Sequence, residues 1–380
     1  MAFSISELMG KILGSTGLFG GSSGSVVGVD IGASSIKVVQ IKRKGGRPIL
    51  ETYGELALGP YAGVEVGRAT NLAEDKVIEA LKDLFREANV TSRSGAIAIP
   101  LASSLISLVS MPRLPEARMK EMIPLEARRY IPVPISEVTL DWWVLPDEEK
   151  MFQSPDPKEN EIPTGAKVDV LLVAILNDAV GRFRRIAEGA GLGNPTFEME
   201  IFSSVRASVG EGVEPVMMLD LGAGNTKVYL VHHGVVKDAH TIPRGSQDIT
   251  LSLSRSLSVP PARAEEIKRS VGLSPDPKDK GMTEASTVTA EYILSEASRA
   301  LLSFEKKFHK TVSKVILTGG GAALKGFAEL ARTRFPAPVE IADPFRKLVT
   351  PAFLSDVLKT VGPEFSVAVG AALRRLSEES

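Results

Sequence analysis

Short apolar runs open each half of the chain in the same way. Val26-Val-Gly-Val-Asp30 leads into Ile36-Lys-Val-Val-Gln-Ile41, and Val216-Met-Met-Leu-Asp220 leads into Thr226-Lys-Val-Tyr-Leu-Val231. Each reads as strand, tight turn, second strand. The two stretches lie 190 residues apart, half the chain, and Asp30-Ile-Gly-Ala-Ser-Ser-Ile-Lys37-Val38 matches Asp220-Leu-Gly-Ala-Gly-Asn-Thr-Lys227-Val228 at five of nine positions. An internal duplication explains that register better than two unrelated hairpins do. Between them, Ser104–Ser110, Val138–Leu145 and Val168–Leu176 read as strands. A helical stretch starts at Glu116 and runs to Pro134, with Pro124 expected to kink or break it. Further on, Ile293, Ala297, Ala300, Leu301, Phe304 and Phe308 share one helical face, followed by Lys306, Lys307 and Lys310 where cations suit a helix end. Core packing accounts for that helix without a site.

The pattern predicts an α/β protein in three parts. Residues 1–25 are a tail and tether, because nine of the twelve residues from 14 to 25 are Gly or Ser. Phe3, Ile5, Leu8, Met9, Ile12 and Leu13 before the tether suit a short docking or membrane-surface helix, with a frayed tail as the plainer alternative. Residues 26–212 form a first half carrying an inserted subdomain at about 101–168. Residues 213–380 form a second half with a small subdomain at about 246–311. Composition marks two loops, Met151–Lys167 and Ser274–Thr283.

Charge and cysteine content narrow the function classes. Forty-five basic residues face 46 acidic ones, which argues against chain-wide attraction to nucleic acid or anionic lipid. The sequence contains no cysteine, so disulfides, thiolate metal sites and cysteine nucleophiles drop out, and a reducing, cytoplasmic setting is expected. No run is long and apolar enough to suggest a membrane span. His232 and His233 are expected on opposite faces of a strand, unsuited to a shared metal.

Candidate chemistry gathers at the repeated turns. Gly32 and Gly222 let backbone come close to a ligand, and successive N–H groups through Ala33, Ser34 and Ser35, or Gly224, Asn225 and Thr226, can cradle phosphate. Asp30 and Asp220 at the strand ends can hold Mg²⁺ through water. Lys37 and Lys227, seven residues on, can return along the second strand toward phosphate, with solvated strand lysines as the bland alternative. Gly319, Gly320 and Gly321 follow the strand Val315–Thr318 and suggest backbone packed against a flat ligand, before a helix running through Leu330. Glu265 and Lys268 are one helical turn apart; they make either an exposed ion pair or a face for a nucleoside.

These parts, in this order, resemble the actin, sugar kinase and chaperone ATPase superfamily, in which two duplicated halves close on ATP. The resemblance implies an actin-like ATPase fold. It puts Asp30–Lys37 and Asp220–Lys227 at the phosphates, Gly319–Gly321 at the adenosine, and Glu265 and Lys268 beside ribose and base. It also implies a hinge of two crossing helices, with Ser203, Ser204 and Ala207 in one and Ala368, Gly370, Ala371 and Ala372 in the other. Glu200 falls where relatives carry a water-orienting acid or amide. Its setting, Glu198-Met199-Glu200-Ile201-Phe202, departs from the acid-then-proline form of polymerising relatives, so slow hydrolysis or none is expected.

Glu126-Ala-Arg-Arg-Tyr130-Ile131-Pro132-Val-Pro134, the first turn, and Gly362-Pro-Glu-Phe365-Ser-Val-Ala-Val-Gly370-Ala-Ala-Leu373 together look like the PilM family of type IV pilus assembly, over about residues 26–376. That likeness implies an ATP- and Mg²⁺-binding scaffold at the cytoplasmic face of the inner membrane. It implies that the insertion holds the N-terminal cytoplasmic peptide of a PilN-like membrane protein, that copies form a ring, and that pilus motor ATPase and platform components are further partners. Met119, Met122 and Trp142 are candidate groove residues that serve equally well as core. Two other readings stand beside it. One is a sugar-type small-molecule kinase, for which no Asp-bearing substrate loop is evident. The other is a cell-division tether like FtsA, whose membrane helix is C-terminal, whereas this chain ends Arg374-Arg-Leu-Ser-Glu-Glu-Ser380 without an apolar face.

Overall fold

The computed structural model describes residues 24–145, 167–210, 212–274 and 276–379. The N-terminal helix, most of its tether and most of the Met151–Lys167 loop lie outside them. The strands are β1 (Ser25–Ile31), β2 (Ser35–Lys44), β3 (Arg47–Ala57), β4 (Ser94–Ile99), β5 (Ser104–Pro112), β6 (Val138–Val144), β7 (Lys167–Leu176), β8 (Gly193–Met199), β9 (Val216–Leu221), β10 (Thr226–His232), β11 (Val235–Ile242), β12 (Lys314–Thr318) and β13 (Val339–Ile341). The helices are α1 (Glu74–Glu87), α2 (Glu116–Ala127), α3 (Asn177–Gly189), α4 (Glu200–Ser208), α5 (Ser246–Leu257), α6 (Pro261–Val271), α7 (Lys280–Phe308), α8 (Phe327–Arg334), α9 (Ser355–Val361) and α10 (Ser366–Glu378).

The chain divides into two compact units, one of residues 101 to 181 and a larger one made from the described residues on either side. The larger unit holds two five-stranded sheets of the same topology, β3-β2-β1-β4-β8 and β11-β10-β9-β12-β13. In each, the first strand pairs antiparallel with the hairpin that follows it and parallel with the next strand of the sheet. The sequence repeat is therefore a repeat of whole sheets. A buried central strand flanked on both sides has no solvent face, which is why β1 and β9 read as continuous apolar runs.

The second sheet packs its apolar face on the C-terminal part of α7 and on α8, through Ile293, Ala297, Leu301 and Phe304 against Met217, Leu219 and Leu317. The N-terminal part of α7 joins α5 and α6 in a satellite core around Ile249, Leu253 and Ala264. The first sheet is covered by residues from the far end of the chain. Val26, Val39 and Ile41 pack with Phe345, Phe365, Ala368, Val369 and Ala372. A division at residue 213 thus does not separate two cores, because the last helix belongs to the first sheet. Gly28 makes this possible, since a Cβ there would lie 2.0 Å from the Ala368 carbonyl oxygen.

The unit of residues 101 to 181 is a three-stranded antiparallel sheet, β5-β7-β6, with α2 on one face. Val109, Met111, Val170, Leu172 and Ala174 meet Met119, Ile123 and Ala127 of the helix. Two expectations need correcting. Pro124 sits inside a continuous helix and marks no break, because the buried stripe Met119-Ile123-Ala127 holds α2 to the sheet and outweighs one lost backbone bond. The helix also stops at Ala127 instead of Pro134, where Arg129 and Tyr130 N–H groups turn back to Glu126 and Ala127. Of the proposed groove residues, Met119 is core, Trp142 packs partly buried on that core, and Met122 is exposed.

Candidate functional site

The geometry begins with the two hairpins. Asp30 stands directly opposite Lys37 across β1 and β2, and Asp220 opposite Lys227 across β9 and β10. Both turns close alike: Gly32 N donates to Ser35 O at 3.0 Å, and Gly222 N to Asn225 O at 3.1 Å. Six residues between Asp and Lys are what a four-residue turn needs to bring them face to face. Ala33 is exposed at the tip of the first turn and Ser35 is buried at its base. The second turn is braced from below. The N-terminus of α5 sends Ser246 N to Gly222 O and Gln247 N to Ala223 O, and Thr226 Oγ1 donates to Arg244 O. Gly245 is required there, since a Cβ would fall 2.3 Å from Ala223 O. Gly224 faces Ala69.

Neither lysine is a solvated strand residue. Lys37 Nζ lies 2.6 Å from Ser35 Oγ and 3.2 Å from Glu55. Burial alone would lower its pKa, and the carboxylates of Glu55, Asp30 and Glu364 overcome this and raise it. Lys227 Nζ lies 2.7 Å from Glu200 Oε2 and 3.6 Å from Asp220. Burial again opposes its charge, and Glu200 and Asp220 outweigh it, holding Lys227 firmly cationic. Burial pushes the Asp30 carboxyl up to about 6; Lys37 and Lys227 oppose that rise while Glu200 and Asp220 add to it. Asp30, Glu200, Asp220, Lys227 and the Tyr229 hydroxyl, which reaches Asp220 at 3.5 Å, thus form one electrostatic cluster.

Gly319, Gly320 and Gly321 lie against the second turn's strand. Gly319 has φ +82° and its added Cβ would meet Asp220 Oδ1 at 2.4 Å; one on Gly321 would meet the Leu221 side chain at 2.3 Å. The glycines continue as a 3₁₀ turn, Gly320–Ala323, and the helix expected through Leu330 starts only at Phe327. Glu364 lies beside Gly320, and burial together with nearby Glu55 raises its pKa.

Glu265 and Lys268 are a buried pair, not an exposed one: 2.6 Å apart, both joined by Thr250 Oγ1. Glu265 faces Gly67. Arg269 binds Glu265 at 2.9 Å and is coupled electrostatically to Glu55 and Glu364. Glu55, Gly245, Gln247, Arg269 and Glu364 escaped sequence reading. Only Gly245, just before a helix start, and Glu364, inside the string Gly362–Phe365, left a local signal.

The expected hinge helices do cross. A Cβ at Gly370 of α10 would fall 1.8 Å from the Ser203 carbonyl oxygen of α4. Arg206 of α4 donates to Gly370 O at 3.0 Å and pairs with buried Glu198, which Arg374 of α10 also reaches. His232 and His233 do not face opposite ways. His233 leaves the strand with φ +53°, and the two rings meet tilted at 54° with centroids 4.1 Å apart.

Oxygen donors at Asp30 and Asp220 suit a hard cation. Among the described residues no group of three or more His, Cys, Asp or Glu could hold a metal directly, so a cation there would keep its water. No helix among them is long and apolar enough to cross a membrane.

Comparison with known proteins gives three findings. The family model described as type IV pilus assembly protein PilM matches residues 28–376. Among curated proteins, cell division protein FtsA of Neisseria meningitidis serogroup B is 25% identical over 353 residues, 83% of this chain and 82% of that one; FtsA of Pseudomonas aeruginosa is 22% identical over 393 residues, 93% and 90%. Among solved structures, a PilM-PilN type IV pilus biogenesis complex superimposes with TM-score 0.74 and 26% identity, covering 92% of this chain and 98% of that one. The ethanolamine utilization protein EutJ of Carboxydothermus hydrogenoformans follows at TM-score 0.53 and 17% identity, covering 93% and 90%, and MreB 5 of Spiroplasma citri at 0.51 and 10%, covering 94% and 98%. The fold is the actin-like ATPase fold.

Proposed function

The chain belongs to the type IV pilus assembly protein PilM family, and from that premise we propose that it is an ATP-binding scaffold of the pilus assembly machine. The observation that carries the nucleotide reading is the pair of register-matched Asp–Lys hairpins, closed by the same turn and coupled electrostatically through Asp30, Asp220 and Lys227. Backbone N–H groups of residues 32–35 and 222–226 would hold the phosphates, and the glycines at 319–321 the adenosine. Asp30 and Asp220 would hold Mg²⁺ through water. The ion would neutralise phosphate charge.

Glu200 would be the residue to orient water, and its carboxylate is tied to Lys227 at 2.7 Å. An oxygen already engaged by an ammonium is less available to a water, which favours slow turnover. The kinase reading is disfavoured for the same reason, since that carboxylate is not free to deprotonate a substrate hydroxyl.

The likeness to the PilM-PilN complex supports a short peptide of a PilN-like inner-membrane protein as partner, held by the insertion of residues 101 to 181. Work at the cytoplasmic face of the inner membrane, ring assembly and contact with motor components belong to the same proposal. The FtsA-type tether remains the second reading on the strength of its curated relatives. Titration of ATP with and without PilN-like and division-protein peptides tests both. Tight binding of the PilN-like peptide with micromolar or tighter ATP supports the scaffold; no adenine nucleotide binding at all refutes it.

A further inference from the structure

Residues 58–70 connect β3 to α1, and both ends of this segment are fastened to the first phosphate turn. Leu58 N donates to Ser34 O at 2.9 Å, and Thr70 N to Ala33 O at 2.8 Å. In between, Val64 N turns back to Gly59 O, and Gly59 has no room for a side chain because a Cβ would fall 2.2 Å from Glu65 O. The loop so formed reaches the other half of the molecule. Ala69 N donates to Gln247 Oε1 at 3.1 Å, and Gly67, at φ +86°, comes within 3.2 Å of Glu265 measured from an added Cβ. Gln247 is itself bonded through its own N–H to Ala223 O of the second turn. One residue thus ties the segment on the first turn, through its side chain, to the second turn, through its backbone.

Beneath the segment is a cleft of about 290 Å³, including open solvent, lined by Val66, Gly67, Gln247, Thr250, Leu251 and Glu265 among others. Resting on the nucleotide-cleft reading above, we propose that residues 58–70 are a strap that shuts the cleft mouth and retards nucleotide release, with Gln247 as the positioning residue that latches it. Because both ends hang on Ala33 and Ser34, any shift of the first turn on meeting phosphate moves the strap with it. Because the latch stands on the second turn, the strap closes only when both turns are in place.

Nucleotide exchange tests this. Gln247→Met keeps the side-chain length and removes the acceptor, so release of a fluorescent ATP analogue in stopped flow should quicken about fivefold to tenfold, the worth of one hydrogen bond. Gln247→Glu keeps an acceptor oxygen and should retain slow release, which a merely structural role for this side chain would not predict. A second variant adds a bond instead of removing one, and because Gly224 lies in the phosphate turn it is compared only with its own reduced form. The chain has no cysteine, and a Cβ at Gly224 would lie 3.6 Å from that of Ala69, within the Cβ separation of a disulfide. In Ala69→Cys/Gly224→Cys, oxidation should trap analogue loaded beforehand and bar loading afterwards, and reductant should restore exchange. Equal exchange in the oxidised and reduced protein, with wild-type binding intact, overturns the strap alone. If the wild-type chain binds no adenine nucleotide, the cleft reading fails and takes the strap with it.

Discussion

Replacing Gly370 with alanine sets two effects of opposite sign against each other. Alanine inside a helix is favoured over glycine by about 1 kcal/mol. Against that, the new Cβ would stand 1.8 Å from the Ser203 carbonyl oxygen and 2.4 Å from its carbon, where non-bonded heavy atoms settle at roughly 3.5 Å or more. Relief requires α4 and α10 to part by about 1.5 Å at their crossing. They are not free to part. Arg206 spans the crossing to Gly370 O and Glu198, Arg374 holds the same carboxylate, and Ser208 Oγ donates to Ser366 Oγ at 3.0 Å. Overpacking in a tight interior costs about 1–3 kcal/mol, and more when backbone must move. The expected result is a net loss of about 2 kcal/mol by urea unfolding, with weakened ATP binding. Gly281→Ala, also near one end of a helix but with open space around it, should be neutral or stabilising. If Gly370→Ala matches that control, the crossing is not a rigid contact and the two halves do not pivot there.

Other expectations are separable. Asp220→Ala and Gly320→Val should each abolish ATP binding measured by calorimetry while leaving the far-ultraviolet circular dichroism unchanged; retained affinity in either would remove the pocket assignment. Burial lifts the Asp30 carboxyl from 3.8 to about 6. The folded value lies above the unfolded one, so the native state releases this proton later and loses stability as pH rises between about 4 and 6. Asp30→Asn in chelator should therefore stabilise the protein by up to about 3 kcal/mol at pH 7.5 and by almost nothing at pH 3.5; a difference independent of pH would contradict it. Ser104 and Ile175 are cross-strand partners, so residues 104–176 can be excised and the ends joined by a short Gly/Ser linker. That variant should keep ATP affinity and lose PilN-like peptide capture; capture by the excised protein would place the peptide elsewhere.

What the sequence disclosed was mainly local. The turn-and-strand repeat carries its chemistry within nine residues, so the opposition of Asp30 to Lys37 follows from spacing alone. The small residues at 203 and 370 were likewise visible, though only likeness to a family said that they would meet. Contacts between distant segments were not legible. Nothing near Glu55 announces Lys37, and nothing near Gln247 announces Ala69, because each pairing is made by the approach of separate elements. Glu265 and Lys268 were legible as a pair and not as a buried one, since burial depends on Thr250 and Gly67 from elsewhere. Pro124 misled for a related reason: its helix is held by the sheet beneath it, which propensity does not weigh.

The cover over the first sheet has a consequence for how the protein is made. Val26 and Ile41 leave the ribosome first, yet Ala368, Val369 and Leu376, which bury them, leave last. The opening hairpin must wait for nearly the entire chain before its apolar face is shielded, and contacts spanning so much sequence form slowly. During that interval the second sheet, whose strands all lie between Val216 and Ile341, can already be complete. Synthesis interrupted before α10 would therefore release a molecule with one finished half and one sticky one, a natural client for chaperones and proteases.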